Sequence, residues 1–130
     1  MKVTLGKYKK NGSKRTTKVQ IDPWDTWSLD SNLAMIIHPA LVVFKSELES
    51  YPAQFESIEE WKAVLDKMIF SFDSASRDDS EDEFYSGDFT EPFFGPESTI
   101  KIDFDGLEAH YKKVQEGFEL FGKHFQSLWN

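Results

Sequence analysis

The first apolar pattern along the chain is that of an amphipathic helix between residues 33 and 48. Apolar side chains recur there at spacings of three and four, which places them on one face of a helix. Ser28 or Asp30 is suited to cap its start, and Pro39 lies inside it, where we expect a kink because proline removes one backbone donor. The helix should end before Pro52, since the residue before a proline avoids the helical region.

Two further helices follow from the same spacing. Ser57 and Glu60 have the form of a capping box, ahead of an apolar stripe that continues to about Asp73. Asp105 is suited to cap a longer helix, whose stripe over residues 107–128 alternates spacings of four and three without a break. The pattern therefore predicts three helices, the last of them roughly 36 Å long.

Short strands are predicted before the first helix and again before the last one. Residues 2–8 and 15–21 flank Asn11-Gly12, the strongest short signal for a β-hairpin. Polar and apolar residues alternate in the second arm, as in a half-buried strand, with Thr17, Val19 and Ile21 on one face. Residues 99–104 alternate too. We predict an α+β fold with three helices packed on a small antiparallel sheet, formed by the N-terminal hairpin and a strand near 99–104.

Residues 74–98 have a different composition from the rest of the chain. They hold eight acidic residues and no basic residue after Arg77, together with turn-forming Gly and Pro residues. They also hold five Phe and Tyr residues, which is too apolar for a plain disordered segment. We expect one domain over residues 1–130, with a mobile acidic loop at about 74–98 whose Phe-rich end packs down.

Charge and composition narrow the classes of partner. The net charge is −8, but residues 1–20 hold seven basic and no acidic residues, so the remainder carries −15. An acidic surface repels phosphates, so nucleic acid is an unexpected partner. The chain has no cysteine, which excludes disulfides and thiolate metal sites. No apolar run approaches the roughly 20 residues that span a bilayer, and MKVTLGKYKK is not a signal peptide, so we expect no membrane association.

The densest group of candidate binding residues lies in the predicted strand-to-helix connection over residues 21–32. Trp24 and Trp27 could stack a base or another ring, while Asp25 or Asp30 could accept hydrogen bonds from sugar hydroxyls or an amine. The alternative is structural. In that interpretation the aspartates cap helices and turns, and the tryptophans close one end of the core.

His38 invites a metal hypothesis, because one imidazole with the carboxylates of Asp25 and Asp30 could form a ligand set. No metal-binding spacing such as His-Glu-x-x-His is present, and a histidine at the core edge beside Pro39 is the simpler interpretation. The chain also lacks a Gly-x-Ser-x-Gly elbow. The sequence thus gives no catalytic residue, metal ligand or cofactor, and an enzyme is the less expected class.

Several stretches resemble a family of small uncharacterised proteins from tailed bacteriophages. They cover most of residues 18–130 except the acidic loop, and the more specific elements are Asp-Thr-Trp-x-x-Asp at 25–30 and Leu-Phe-Gly-Lys at 120–123. Departures are Phe70, where relatives tend to carry Trp, and residues 45–55, which lack a basic Gly-Pro-containing run. The resemblance implies a viral protein present in the cytoplasm of a bacterial host, and it brings no activity.

By analogy with accessory phage proteins, the expected function is binding that antagonises a host defence system, by sequestering a nucleotide-type signal or by binding a host protein. The predicted ligand-binding surface consists of Trp24, Asp25, Trp27, Asp30 and His38, with Lys67 and Lys123 near any phosphates. Alternatives are a metal-dependent hydrolase using Asp25, Asp30 and His38, an acidic mimic of DNA, or a structural docking protein. A homodimer through the helix at 106–129 is a further possibility, since its stripe has coiled-coil spacing.

Overall fold

The computed structural model describes residues 1–12, 15–89 and 98–130. It contains three helices and two small antiparallel sheets, which confirms the α+β prediction. Short 3₁₀ helices cover Pro23–Ser28, Asp82–Phe84 and Phe125–Ser127. In chain order the main elements are β1 (Lys2–Thr4), β2 (Lys18–Gln20), α1 (Leu29–Ser46), α2 (Ile58–Ser76), β3 (Tyr85–Ser86), β4 (Lys101–Ile102) and α3 (Phe104–His124).

The start of α1 differs from the prediction. Ser28 occupies the capping position but its side chain makes no capping hydrogen bond. Capping bonds are found at the start of the preceding 3₁₀ helix, where the Asp22 carboxylate accepts from the backbone N–H of Trp24 at 2.9 Å and the Asp25 carboxylate accepts from that of Asp22 at 2.8 Å. Asp30 lies in the first turn of α1. The helix continues through Pro39 and ends at Ser46.

The other two helices begin at aspartate and serine caps. Ser57 Oγ accepts from the N–H of Glu60 at 3.1 Å, as predicted, and the Glu60 carboxylate reaches back to the N–H of Glu56 at 2.9 Å. At α3 the cap is Asp103, which accepts from the N–H of Gly106 at 2.9 Å, so the assignment of the cap to Asp105 was wrong. Asp105 lies in the first turn, where its charge suits the helix dipole.

The helices pack mainly on one another, with α2 lying between α1 and α3. Trp61, Leu65 and Met68 of α2 are completely buried, and Phe72 meets the rings of Phe118 and Phe121 edge-on. Apolar stripes at helical spacing thus form the core as the sequence predicted. α2 and α3 approach most closely where Gly117 faces Ser71, whose hydroxyl donates to the backbone carbonyl of Val114 at 2.6 Å.

A buried histidine completes the core at one end of the helices. His124 is 5% exposed and packs between the rings of Phe55 and Trp61. Its Nδ1 atom has no hydrogen-bond partner among the described residues, and burial lowers the pKa of the imidazole. The neutral ring is therefore the form that suits this packing.

The strands form two separate ribbons instead of the single sheet predicted. β1 pairs with β2 in the register Val3–Val19, while β4 pairs with β3 in the register Tyr85–Ile102. The reason is local. β4 leads directly into α3, and the residues before β3 pack on the start of that helix, where the N–H of Asp103 donates to the carbonyl of Phe84 at 2.8 Å. The 99–104 strand therefore finds its partner there, away from the hairpin.

The N-terminal hairpin lies more exposed than its alternating pattern predicts. Val19 and Ile21 are 57% and 50% exposed, so the expected half-buried face is not covered within the described chain. The hairpin is held to the following segment by its first residue, whose amino group lies 2.7 Å from the Asp25 carboxylate. Its apolar side chains are available for contacts outside the monomer.

The acidic segment predicted as a loop at 74–98 is partly regular. Its first residues complete α2, which extends to Ser76 instead of fraying after Asp73. The 3₁₀ helix Asp82–Phe84 and β3 follow. Residues 90–97, which include part of the Phe-rich end, lie outside the described residues. Mobility of this segment remains a prediction.

One helical stretch, Pro23–Ser46, is long and apolar enough to cross a membrane by those two criteria alone. The stretch includes Asp25 and Asp30, and the expectation of no membrane association stays a prediction. Core helices of soluble proteins meet the same criteria, and Ala34 and Leu41 of α1 are buried against α2.

Candidate binding groove

A groove runs between α1 and α3 with α2 as its floor. Both outer helices pack firmly on α2 but scarcely touch each other. The space between them consists of two adjoining cavities of about 390 and 340 Å³, which share Ile37 of α1 and Phe121 of α3 as lining residues. The apolar stripe of α1 is wider than its contact with α2, so part of the stripe faces this space.

The smaller cavity has only apolar walls, and the larger one is lined by both apolar and polar side chains. Leu33 and Ile36 on α1 remain 43% and 40% exposed. An apolar concave surface of this kind is the usual setting of a binding site. The lining side chains are Leu33, Ile36, Ile37, Ala40, Leu41 and Phe44 of α1, Phe72 and Ala75 of α2, and Val114, Phe118, Phe121, Phe125 and Leu128 from α3 and the turn after it.

Polar groups gather at one end of the groove, which we call the acidic mouth and define as Asp30, Ser74, Glu81, His110 and Tyr111. Ser74 Oγ lies 3.0 Å from His110 Nε2. The Tyr111 hydroxyl donates to the Glu81 carboxylate at 3.1 Å, and this bond raises the pKa of the tyrosine. The residues that line the two cavities include two carboxylates and no lysine or arginine.

The pair Ser74–His110 joins α2 to α3. Ser74 lies inside α2, where the backbone N–H groups around it are committed to helical hydrogen bonds. They cannot act as the donors that an oxyanion needs. The hydroxyl and the imidazole instead offer a donor and an acceptor beside the apolar walls, a combination that orients a ligand.

The predicted tryptophans lie on the surface. Trp24 and Trp27 are 69% and 78% exposed, and their ring centroids are 4.6 Å apart. They do not close the core, as the structural interpretation required. Asp25 next to them has the capping role, since it bonds to the Asp22 N–H and to the amino terminus, which lowers the pKa of its carboxyl group.

The remaining predicted site residues have separate environments. Asp30 lies in the acidic mouth. His38 lies 3.8 Å from Asp73 of α2, and Lys67 donates to Glu116 of α3 at 2.7 Å. Lys123 lies in the last turn of α3.

The predicted surface is therefore spread over several parts of the molecule, and its use in binding remains a prediction. Within the described ranges, no group of three His, Asp or Glu side chains could hold a metal ion. The metal set of Asp25, Asp30 and His38 thus has no geometric support.

Sequence reasoning missed the groove residues Ser74, Glu81, His110 and Tyr111. Ser74 and His110 are polar residues on helices, an ordinary position for a solvated side chain, while Tyr111 belongs to the apolar stripe of α3 and Glu81 lies in a turn. Only the packing of α2 and α3, and the turn that brings Glu81 over Tyr111, place them together. Asp30 was predicted as a binding residue because tryptophans and another aspartate lie near it in the sequence. Its position in the groove depends on how the helices pack. Comparison of the chain with protein-family models, with curated proteins and with solved structures gives no match.

Proposed function

We propose that this protein acts by binding, and that it takes a positively charged amphipathic helix of another protein into the groove between α1 and α3. The observation that carries the proposal is the open groove itself, with apolar walls and an acidic mouth. The position of Ser74 inside a helix, where the neighbouring backbone N–H groups are committed to helical hydrogen bonds, supports binding over nucleophilic catalysis.

The dimensions of the groove support a helical occupant. The lining residues of α1 extend from Leu33 to Phe44. Eleven residue steps of helix correspond to about 17 Å, or three turns. A partner helix that lies in such a groove inserts apolar side chains at positions i, i+3 or i+4, and i+7, which span two turns. The third turn would bring the polar end of the partner over the acidic mouth.

The charge of the groove supports a basic partner. Asp30 and Glu81 line the mouth, and residues 21–130 carry a net charge of −15. Such a surface attracts cations and repels phosphates during encounter. A nucleotide-type signal, the other expected ligand, would lie beside two carboxylates without a lining lysine or arginine. No observation favours it over the helix.

The biological setting of the proposal depends on the resemblance to tailed-phage proteins. If the chain is an accessory protein of a phage, the partner helix belongs to a bacterial host protein. Binding of that helix in the groove would keep it from its normal contacts. A small binding protein can antagonise a larger system in this way. A defence protein is the target class that we propose.

A titration with model peptides tests the proposal. The probe is a fluorescent Leu-Lys peptide with leucines at i, i+3, i+4 and i+7, and the comparison is the matching Leu-Glu peptide. We expect the Leu-Lys peptide to bind at least about tenfold more tightly, which corresponds to about 1.4 kcal/mol. Equal affinity of the two peptides, or no binding of either, would contradict the proposal.

Two variants locate the binding. Ala40 lines the groove and is exposed, so Ala40→Lys introduces a cation among apolar walls without disturbing the core. The matched control Ala63→Lys makes the same change at an exposed position of α2 that does not line the groove. Ala40→Lys should abolish binding of the Leu-Lys peptide and Ala63→Lys should leave it unchanged.

A further inference from the structure

The outward side of α1, opposite the groove and α2, carries a second apolar surface. Residues 31–44 contain no Asp, Glu, Lys or Arg. On the outward side Met35 and Val43 are 57% and 59% exposed, with Pro39 and Val42 exposed beside them. A helix that is apolar on every side is normally buried on every side. We call this surface, Met35, Pro39, Val42 and Val43, the outer face of α1.

Opposite charges lie at the two ends of the outer face. The basic hairpin lies beside its start, where Met1 and Val3 line a small cavity with Met35 and Ile36. Residues 1–20 carry a charge of +7, and no hairpin lysine forms an ion pair within the described ranges. At the other end α1 is followed by Glu47 and Glu49, which are exposed and form no ion pair among the same residues.

We infer that the outer face of α1 binds a second copy of this chain, with the two α1 helices antiparallel. In that arrangement the basic hairpin of each copy lies against Glu47 and Glu49 of the other. One twofold rotation therefore pairs opposite charges at both ends of the outer face. A twofold interface presents the same surface from both copies and is the commonest form of oligomer. The outer face extends from Met35 to Val43, about 12 Å along a helix that is about 27 Å long in all.

The register of the two helices follows from the spacing on the outer face. Pro39 lies four residues after Met35 and four before Val43. With Pro39 at the twofold axis, Met35 of one copy faces Val43 of the other. The exposed Val19 and Ile21 of the hairpin then lie at the margins of the same interface, where a partner would cover them.

A lipid surface fits these observations less well than a second copy. The basic hairpin would be attracted to anionic lipids, but Glu47 and Glu49 at the other end of the same face, and the net charge of −15 on residues 21–130, would be repelled. The apolar stripe of α3, an alternative dimer surface, has Leu107 buried, and Phe118 and Phe121 pack on Phe72 within the monomer.

Light scattering of the intact protein after size exclusion tests the inference. We expect a mass of twice 15.1 kDa at micromolar concentrations. Val43→Lys alone and Met35→Glu alone should each reduce the mass to that of the monomer, because each places two unpaired charges in the interface. The double variant Met35→Glu with Val43→Lys should recover the dimer, since the new charges then face each other across the axis.

One control variant and three contrary results complete the test. Tyr51→Lys changes an exposed aromatic residue outside α1 and should remain dimeric. A wild-type mass of 15.1 kDa at all concentrations, or flotation of the monomer with vesicles of phosphatidylserine, would overturn the inference. Failure of the double variant to dimerise would overturn the antiparallel register. Ala40→Lys lies in the groove, so its loss of peptide binding is measured separately from the mass.

Discussion

Two glycines of α3 permit a test of helix packing in which the same substitution has opposite effects. Gly117 is buried against α2, whereas Gly122 is exposed, and no atom of the part of the chain that the structure describes lies within 4 Å of the place of an added Cβ. Replacement of either by alanine removes the backbone entropy cost of glycine in a helix, which favours folding by up to about 1 kcal/mol. We expect this gain alone for Gly122→Ala.

At Gly117 the added methyl group has no space. It would overlap the Ser71 hydroxyl and the backbone carbonyl of Lys67, and would lie 2.7 Å from Ser71 Cβ. Rotation of the Ser71 side chain cannot relieve the clash, because its Cβ and the backbone of α2 are fixed. Overpacking of this kind costs about 1–3 kcal/mol. Displacement of the Ser71 hydroxyl from the carbonyl of Val114 adds about 1 kcal/mol.

The difference between the two variants isolates the packing effect, because the gain in helix propensity is common to both. The free energy of unfolding of Gly117→Ala should be lower than that of Gly122→Ala by about 2–4 kcal/mol. Urea denaturation followed by circular dichroism measures both values, with equal m-values as the check on a common unfolding transition. If Gly117→Ala is as stable as Gly122→Ala, then α2 and α3 do not approach each other as described.

Three other outcomes are expected. Burial lowers the pKa of His124 below its ordinary 6.5, so the unfolded chain binds more protons than the native one, and stability should fall as the pH drops through 6.5 toward the folded pKa. His124→Phe should remove this component, and urea titrations of both proteins at about pH 7.5 and 5.5 would show it as a pH-dependent stability difference; a constant difference would contradict the burial. Lys67→Ala should cost at most about 1 kcal/mol in unfolding free energy, because the ion pair with Glu116 is half exposed and screened by solvent. The double variant Trp24→Ala with Trp27→Ala should unfold within about 1 kcal/mol of wild type, since both rings are exposed, and a larger loss would assign them a place in the core.

The helices could be predicted because the spacing of apolar residues within each segment shows which face packs on the core. The stripes around Leu65 and Phe118 have the spacing of one helical face, and Ser57 marks the start of α2. At α3 the cap is Asp103 and not Asp105, and at α1 Ser28 occupies the predicted capping position without a capping hydrogen bond. More than one aspartate near each start could serve as a cap. The choice of Asp103 depends on where the chain enters α3 from β4.

Strand pairing and the groove could not be predicted in the same way. Nothing in residues 99–104 says whether they pair with the hairpin or with Tyr85–Ser86, because the answer depends on how the segment before β3 packs on α3. The local concentration of tryptophan and aspartate at 24–30 suggested a binding surface by composition. The groove, in contrast, arises from the failure of α1 and α3 to close over α2, which no single stretch of sequence encodes.

Backbone NMR of the isotopically labelled protein during titration with the Leu-Lys peptide tests the proposed binding site most directly. The account predicts that the largest amide shift changes fall on the groove, at Leu33, Ala40, His110 and Phe118, and that they vanish in Ala40→Lys but not in Ala63→Lys. Shift changes confined to Trp24, Trp27 and the basic hairpin, or no change in the groove at saturating peptide, would contradict the account.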